Sequence, residues 1–439
     1  MIKTVTVVGA NGTMGRNVAA IFASFGDATV FMVSRSLEKS IEAKSKAYQS
    51  VRAESIKEKM IPADYSQLEE CVKKSDLIFE TCAENWKVKE SIHTQIAKTL
   101  GAVAKDKVIC SGTSGLSITK LAECYPEMYR HQFMGMHMFN PPYQMTLCEL
   151  TPTIYTEQDR TVFEAVKIYA KEILHRTVVE TSDSPAFLGN RIGFQFINEA
   201  MQMAEKYKFN GGIDYIDALL GGFTGRAMPP LMTANFVGLD VHKAIVDNLY
   251  LNTNDYANST YILPEFVAHL IDEGKTGRKA GAGLYKTEIH DSGVKLYKVY
   301  DIEHGYYREQ IKYTFPFVEE IISALKIGDY TRAFQTLIEN HSMEAKFCCE
   351  FLLKYIIYSL ASAKEMKCET AAADDVMASG FHWCPPLAML EAFQTVVDFK
   401  LLCKERLSDD VMRVIEEQGL LENLEKSKYD YRKYILAKR

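Results

Sequence analysis

Near the start of the chain, the short apolar run Thr4–Val8 passes directly into Gly9-Ala10-Asn11-Gly12-Thr13-Met14-Gly15 and then into a helical pattern at 16–23. This feature constrains the fold more than any other. Thr4–Val8 has no polar alternation beyond threonine, which predicts a strand buried on both faces of a parallel sheet. Residues 16–23 predict a helix closed by Gly26, and 29–33 predict a second buried strand. Strand, glycine turn, helix and strand in this order predict a doubly wound nucleotide-binding α/β domain. The glycines at 9, 12 and 15 are spaced G-x-x-G-x-x-G, one residue longer than the dinucleotide pattern G-x-G-x-x-G. A pyrophosphate must touch backbone amides at a helix N-terminus, and a Cβ at the closest approach would block it. Gly12 is expected to give that approach, and Gly15 to let the helix pack on the strand. Gly9, Gly12, Thr13, Met14 and Gly15 are therefore candidate cofactor residues. A tight βα turn without a ligand is the alternative.

The second predicted strand ends in Val33-Ser34-Arg35-Ser36, where a carboxylate for the ribose 2′-hydroxyl would stand. None is present. Ser34 and Arg35 can instead hold a 2′-phosphate, which favours NADP over NAD; an exposed arginine opening a helix is the plainer reading. Leu77–Glu80, a helix from about 86 to 100, and a strand at 107–110 continue the alternation of a Rossmann-type sheet.

The chain has 439 residues, of which 47% are hydrophobic, and this is enough for two or three folded domains. Its net charge of -6 argues against a nucleic-acid partner. The 10 cysteines show neither C-x-x-C pairs nor zinc-like spacing, so no metal is expected, and reduced thiols in the cytoplasm are. No signal peptide is expected, since the sequence runs straight into the first strand, and no apolar run in it approaches the roughly 18–20 residues of a membrane helix.

Farther along, SGTSGLSITKLAE (111–123), FMGMHMFNPPYQMTLCEL (133–150), SDSPAFLGNRIGFQFINEA (182–200), GRAMPPLMTANFVGLDV (225–241) and GRKAGAGLY (277–285) follow one another. In content and order they resemble the 3-hydroxyacyl-CoA dehydrogenases, over almost the whole chain. The subgroup they are most similar to is a bacterial form with two C-terminal helical repeats and no hydratase domain. The resemblance implies interconversion of (3S)-3-hydroxyacyl-CoA and 3-ketoacyl-CoA by hydride transfer with NAD(P). His137 would be general base and acid, because imidazole titrates near working pH. Glu149, twelve residues on, would hold its other nitrogen. Ser114 would bond the reacting oxygen, and Asn190 would orient histidine and substrate. Read singly, these are a packed histidine, a solvated charge, a helix cap and a surface residue; together, in family order, they form a catalytic set.

The resemblance also implies that Glu84, Lys89 and Asn140 lie on the cofactor side. Lys39, Lys44 and Lys46, on a charged helix after the second strand, are candidates for the coenzyme A phosphates; a solvated face is the alternative. The sequence departs from the family in its longer glycine loop, in Gly112 where the family has asparagine, and in two extra residues between Ser114 and His137. A dehydrogenase of a free hydroxy acid and a non-catalytic nucleotide-binding protein are the other readings of the same residues.

The expected domains are 1–183 (NAD(P)-binding), 184–292 (helical repeat 1) and 293–439 (connector and repeat 2), with an all-α C-terminal region. The repeat is read from DALLGGF and MPPLM (217–232), echoed at 375–389 with Asp, Gly-Phe and Pro-Pro-Leu at similar spacing. Tyr297–Tyr313, rich in tyrosine and charge, is expected to be a surface connector or short hairpin. A second repeat can occupy a surface used for pairing between subunits, so a monomer or a homodimer is expected.

Overall fold

A computed structural model describes residues 2–101, 107–289 and 295–438. The chain forms two compact units, Met1–Phe187 and Leu188–Arg439. The expected boundary at 292/293 lies outside the described residues.

The first unit alternates strand and helix: β1 Thr4–Val8, α1 Thr13–Ser24, β2 Thr29–Ser34, α2 Leu37–Val51, α3 Glu54–Lys59, β3 Met60–Asp64, α4 Leu68–Lys74, β4 Leu77–Glu80, α5 Trp86–Leu100, β5 Val108–Ser111, α6 Ile118–Ala122, β6 Phe133–Met138, β7 Leu147–Thr151, α7 Thr161–Ile168 and β8 Thr177–Glu180. The strands make one eight-stranded sheet in the order β3-β2-β1-β4-β5-β6-β7-β8. All neighbours run parallel except β6 and β7. The order reverses at β1 and β4, so the loops at the carboxyl ends of these strands diverge and leave a crevice, the usual ligand position in such sheets. The strands read as continuous apolar runs because both faces are covered. Val7 joins one core with Phe22 and Met136, and Val8 joins the other with Ile78 and Ile109.

The second unit begins within α8 Phe187–Lys206 and continues with α9 Ile213–Leu219, α10 Pro230–Val237, α11 Leu239–Asn252 and α12 Glu265–Asp272. A three-stranded antiparallel sheet follows: β9 Tyr285–Ile289, β10 Lys295–Asp301 and β11 Tyr306–Glu309, in the order β11-β10-β9. The hairpin expected at 297–313 is present as β10 and β11, and β9 adds a third strand within a region that is otherwise helical. Tyrosines, Val299 and Leu296 interleaved with lysines favour paired strands, and the sheet is anchored where Arg308 meets Asp214 at 2.7 Å. Helices then resume: α13 Pro316–Lys326, α14 Tyr330–Glu339, α15 Met343–Glu365, α16 Thr370–Val376, α17 Pro386–Gln394, α18 Phe399–Arg406 and α19 Asp409–Gln418.

One local device occurs twice in this unit. On α9, the Asp217 carboxylate accepts from the Leu231 and Met232 amides at the start of α10, at 2.8 and 2.9 Å. On α16, Asp374 accepts from the Leu387 amide at the start of α17, at 2.7 Å. Each aspartate satisfies orphan amides of a Pro-Pro-Leu helix; in the second stretch it is Asp374, one residue before the 375–389 echo, that does so, while Asp375 accepts from Lys428 and Tyr429. The two long helices meet in an aromatic cluster: Phe196 of α8 lies 4.8 Å from Phe351 and 5.7 Å from Tyr355 of α15.

Candidate active site

The glycine turn separates three physical roles. Gly9 has φ +88°, and a Cβ there would lie 2.7 Å from the Thr81 carbonyl oxygen. At Gly15 a Cβ would fall 2.4 Å from the Gly9 carbonyl oxygen, so this glycine lets α1 press onto the turn. Gly12 differs: its Cβ would meet only the Gly9 oxygen, at 3.4 Å, and the residue is exposed. Gly12 is also the N-cap of α1, where first-turn amides have no intrahelical acceptor. An open face beside free amides at a helix N-terminus fits a pyrophosphate. Thr13 is exposed at the same end, and Met14 is half-buried. Asn17 of α1 donates to Asn140 at 3.0 Å, which brings Asn140 to this helix. At the end of β2, Arg35 is exposed, whereas Ser34 is fully buried and its hydroxyl has no hydrogen-bond partner.

His137 and Glu149 stand directly opposite each other on the antiparallel strands β6 and β7. Side chains opposite on such a pair project from the same face, so the twelve-residue separation becomes a contact. Nδ1 of His137 lies 2.8 Å from Oε2 of Glu149. Both side chains are buried, and Phe139 and Phe187 flank the imidazole at 4.6 and 5.6 Å. A carboxylate can only accept, so this contact places the ring proton on Nδ1 and fixes the tautomer.

Ser114 follows β5, the strand next to β6. Two carboxylates hold its loop. Oε1 of Glu84 accepts from the Ser114 amide at 2.8 Å and from the Thr113 hydroxyl at 2.5 Å. Asp183 accepts from the Ser117 hydroxyl at 2.9 Å and from the Ile118 and Thr119 amides at 2.8 Å, capping α6. Glu84 thus sits on the Ser114 loop.

Lys89 is fully buried, with Nζ 2.8 Å from Glu80 Oε1 and 3.5 Å from Glu84 Oε2. Glu80 is a hub at the end of β4. It also accepts from the Cys82 amide at 2.5 Å and the Ser111 hydroxyl at 2.7 Å, and His93 Nε2 lies 3.3 Å away. Nδ1 of His93 meets the Tyr125 hydroxyl at 2.9 Å. Burial alone would raise the Glu80 carboxyl, but the adjoining His93 ring and the Lys89 charge override it and hold it at about 2. Lys89 is raised above its ordinary value, because the Glu80 and Glu84 charges outweigh its desolvation. Lys89 and the two carboxylates therefore tie the loops after β4 and β5 together. Glu80, His93, Thr113 and Asp183 had no functional signal in sequence beyond a carboxylate ending the apolar strand LIFE and an aspartate before Ser-Pro.

Among the coenzyme A candidates on α2, Lys39 and Lys46 are exposed and Lys44 is half-buried; Lys46 pairs with Glu42 at 2.5 Å. Asn190 lies on α8 in the second unit and is buried. Among the described residues, no group of His, Cys, Asp and Glu could hold a metal ion, and no helix is long and apolar enough to cross a membrane.

Comparison with known proteins gives the same answer in both units. The model of the 3-hydroxyacyl-CoA dehydrogenase NAD-binding domain matches residues 4–184, and that of the C-terminal domain matches 187–287. A 3-hydroxybutyryl-CoA dehydrogenase of Bradyrhizobium diazoefficiens is 32% identical over 305 residues, covering 65% of this chain and 95% of that protein. A probable 3-hydroxyacyl-CoA dehydrogenase of Bacillus subtilis is 26% identical over 408 residues, 87% of this chain; the chain spans 50% of that relative's length. The crystal structure of a 3-hydroxybutyryl-CoA dehydrogenase from Escherichia coli shares the fold, with a TM-score of 0.69 at 18% identity, over 96% of this chain and 99% of that one. With a glycine turn open to a dinucleotide, a histidine–glutamate pair and both family domains in sequence, this chain belongs to the 3-hydroxyacyl-CoA dehydrogenase family.

Proposed function

We propose that the chain interconverts (3S)-3-hydroxyacyl-CoA and 3-ketoacyl-CoA with NAD(P), and that His137, Glu149, Ser114 and Asn190 carry the reaction. The observation that carries this reading is the 2.8 Å contact between His137 and Glu149 beside a sheet whose first turn leaves Gly12 open. The dinucleotide would be held by Gly9, Gly12, Thr13, Met14 and Gly15 at the start of α1, with Asn140, Glu84 and Lys89 on the nicotinamide side. When bound, its nicotinamide ring exchanges hydride with the substrate carbon. Nε2 of His137 takes the hydroxyl proton as hydride leaves, and returns it in the reductive direction. Glu149 stabilises the imidazolium formed at that moment, and its fixed position costs no reorganisation. Ser114, with its amide held by Glu84, bonds the reacting oxygen.

Within this reading the cofactor is NAD or NADP, and one feature favours NADP. That feature is Arg35, exposed at the end of β2 where a ribose-binding carboxylate is absent. Lys39, Lys44 and Lys46 on α2 supply charge for the coenzyme A phosphates. A cytoplasmic setting fits ten cysteines that are in the thiol form.

Mixing the protein with acetoacetyl-CoA and either NADH or NADPH tests the reaction. Loss of reduced-cofactor absorbance is expected, faster with NADPH. No loss with either cofactor across several acyl lengths overturns the reading. Turnover of a free 3-keto acid without coenzyme A points instead to a hydroxy-acid dehydrogenase.

A further inference from the structure

Asn190 and Arg191 are neighbours in the opening turns of α8, and Arg191 is fully buried. The chain enters this helix through Ala186 and Phe187, at φ +61° and +52°. Side chains other than glycine rarely adopt this conformation, and it persists only where surrounding contacts over-determine it. Four residues beyond Phe187, Arg191 ties this end of the helix to distant parts of the second unit. Its Nη2 donates to Asp255 Oδ2 at 2.8 Å and to Glu365 Oε2 at 2.6 Å. Its Nε meets the Tyr358 hydroxyl at 3.3 Å; that hydroxyl donates to Asp255 at 2.7 Å and is bonded to Tyr261.

Tyr358 and Glu365 lie on α15, outside the residues matched by the family's C-terminal domain. They form the far wall of a charge-assisted clamp on a guanidinium that cannot lose its proton. Later turns of α8 are held separately, by Phe196 against Phe351 and Tyr355. Losing the clamp is therefore expected to loosen the start of α8, where Leu188 and Ile192 still pack, more than its later turns.

We infer that Tyr358 and Glu365 are positioning residues that act through Arg191 to fix the first turns of α8, and with them Asn190. The inference rests on the catalytic role proposed for Asn190. It extends the site to a region of the chain that the matched family domains do not include.

The test uses Tyr358→Phe and Glu365→Gln in the full chain, the latter at a half-exposed carboxylate. Amide exchange in 188–194 should rise roughly tenfold in both, while 196–206 stays as in the parent. With acetoacetyl-CoA, kcat should fall roughly tenfold with KM for the reduced cofactor unchanged. Combining either change with Asn190→Ala should cost little more than Asn190→Ala alone, because both act on one group. Parental exchange in 188–194 in both variants overturns the inference, as do losses that add to that of Asn190→Ala. A parent inactive with every acyl-CoA defeats the proposed reaction instead, and the exchange result then decides the clamp alone.

Discussion

Nδ1 of His137 and Oε2 of Glu149 lie 2.8 Å apart because β6 and β7 pair antiparallel with these two residues in direct register. In a sheet otherwise built from parallel neighbours, this one reversal places a carboxylate behind an imidazole without a long side chain reaching across. A slip of one residue would turn Glu149 to the other face.

His137→Gln should therefore lower kcat by about two to four orders of magnitude while leaving cofactor affinity near the parent value. Steady-state kinetics and a fluorescence titration with reduced cofactor separate the two. Parental turnover in this variant would remove the base assignment. Glu149→Gln keeps the shape and loses the charge, so it should show a smaller loss in kcat.

The turn makes opposite predictions for two glycines. Gly12→Ala introduces a Cβ with ordinary space around it at φ -69°, so the protein should keep its Tm within a few degrees. Its affinity for the dinucleotide should fall roughly tenfold or more, since the methyl group occupies the approach to the amides. Gly15→Ala drives a Cβ to 2.4 Å from a backbone oxygen and should lower Tm before any question of binding arises. Thermal melts and a binding titration on both variants check this; equal behaviour would contradict it.

Glu80 and Lys89 form a fully buried pair, so Glu80→Gln leaves an ammonium largely uncompensated and should cost about 3–5 kcal/mol of stability. Glu80 falls from 4.5 to about 2 on folding. The stability it contributes is then complete above about 4.5 and lost as pH falls toward about 2. Circular dichroism across that range should show a shallower acid transition in Glu80→Gln than in the parent. Equally steep transitions would place the acid sensitivity elsewhere.

Arg35 is exposed at the end of β2, and its guanidinium suits a phosphate dianion better than a ribose hydroxyl. Arg35→Ala should weaken NADPH roughly tenfold or more and leave NADH nearly unchanged. Matching losses for the two cofactors, measured by isothermal titration, would reject the role.

Elements whose defining residues are close along the chain are legible in the amino-acid sequence. The helix predicted from about 86 to 100 is α5, Trp86–Leu100, because Asn85 caps it and Gly101 ends it. The second strand is present at Thr29–Ser34. The tyrosine-rich connector is legible as a hairpin, but its third strand, β9, and its anchor, Arg308 on Asp214 across 94 residues, are not.

By itself the sequence determined the strand–turn–helix start, the three glycines and the family motifs, since each is a local pattern with one backbone solution. Only the tertiary structure decided that Glu80 is a hub for Lys89, His93 and Ser111, and that Tyr358 reaches Arg191 across 167 residues. A buried charge takes its partners from whatever the fold brings near, and desolvation makes those partners obligatory; neither leaves a mark on the residues beside it in sequence.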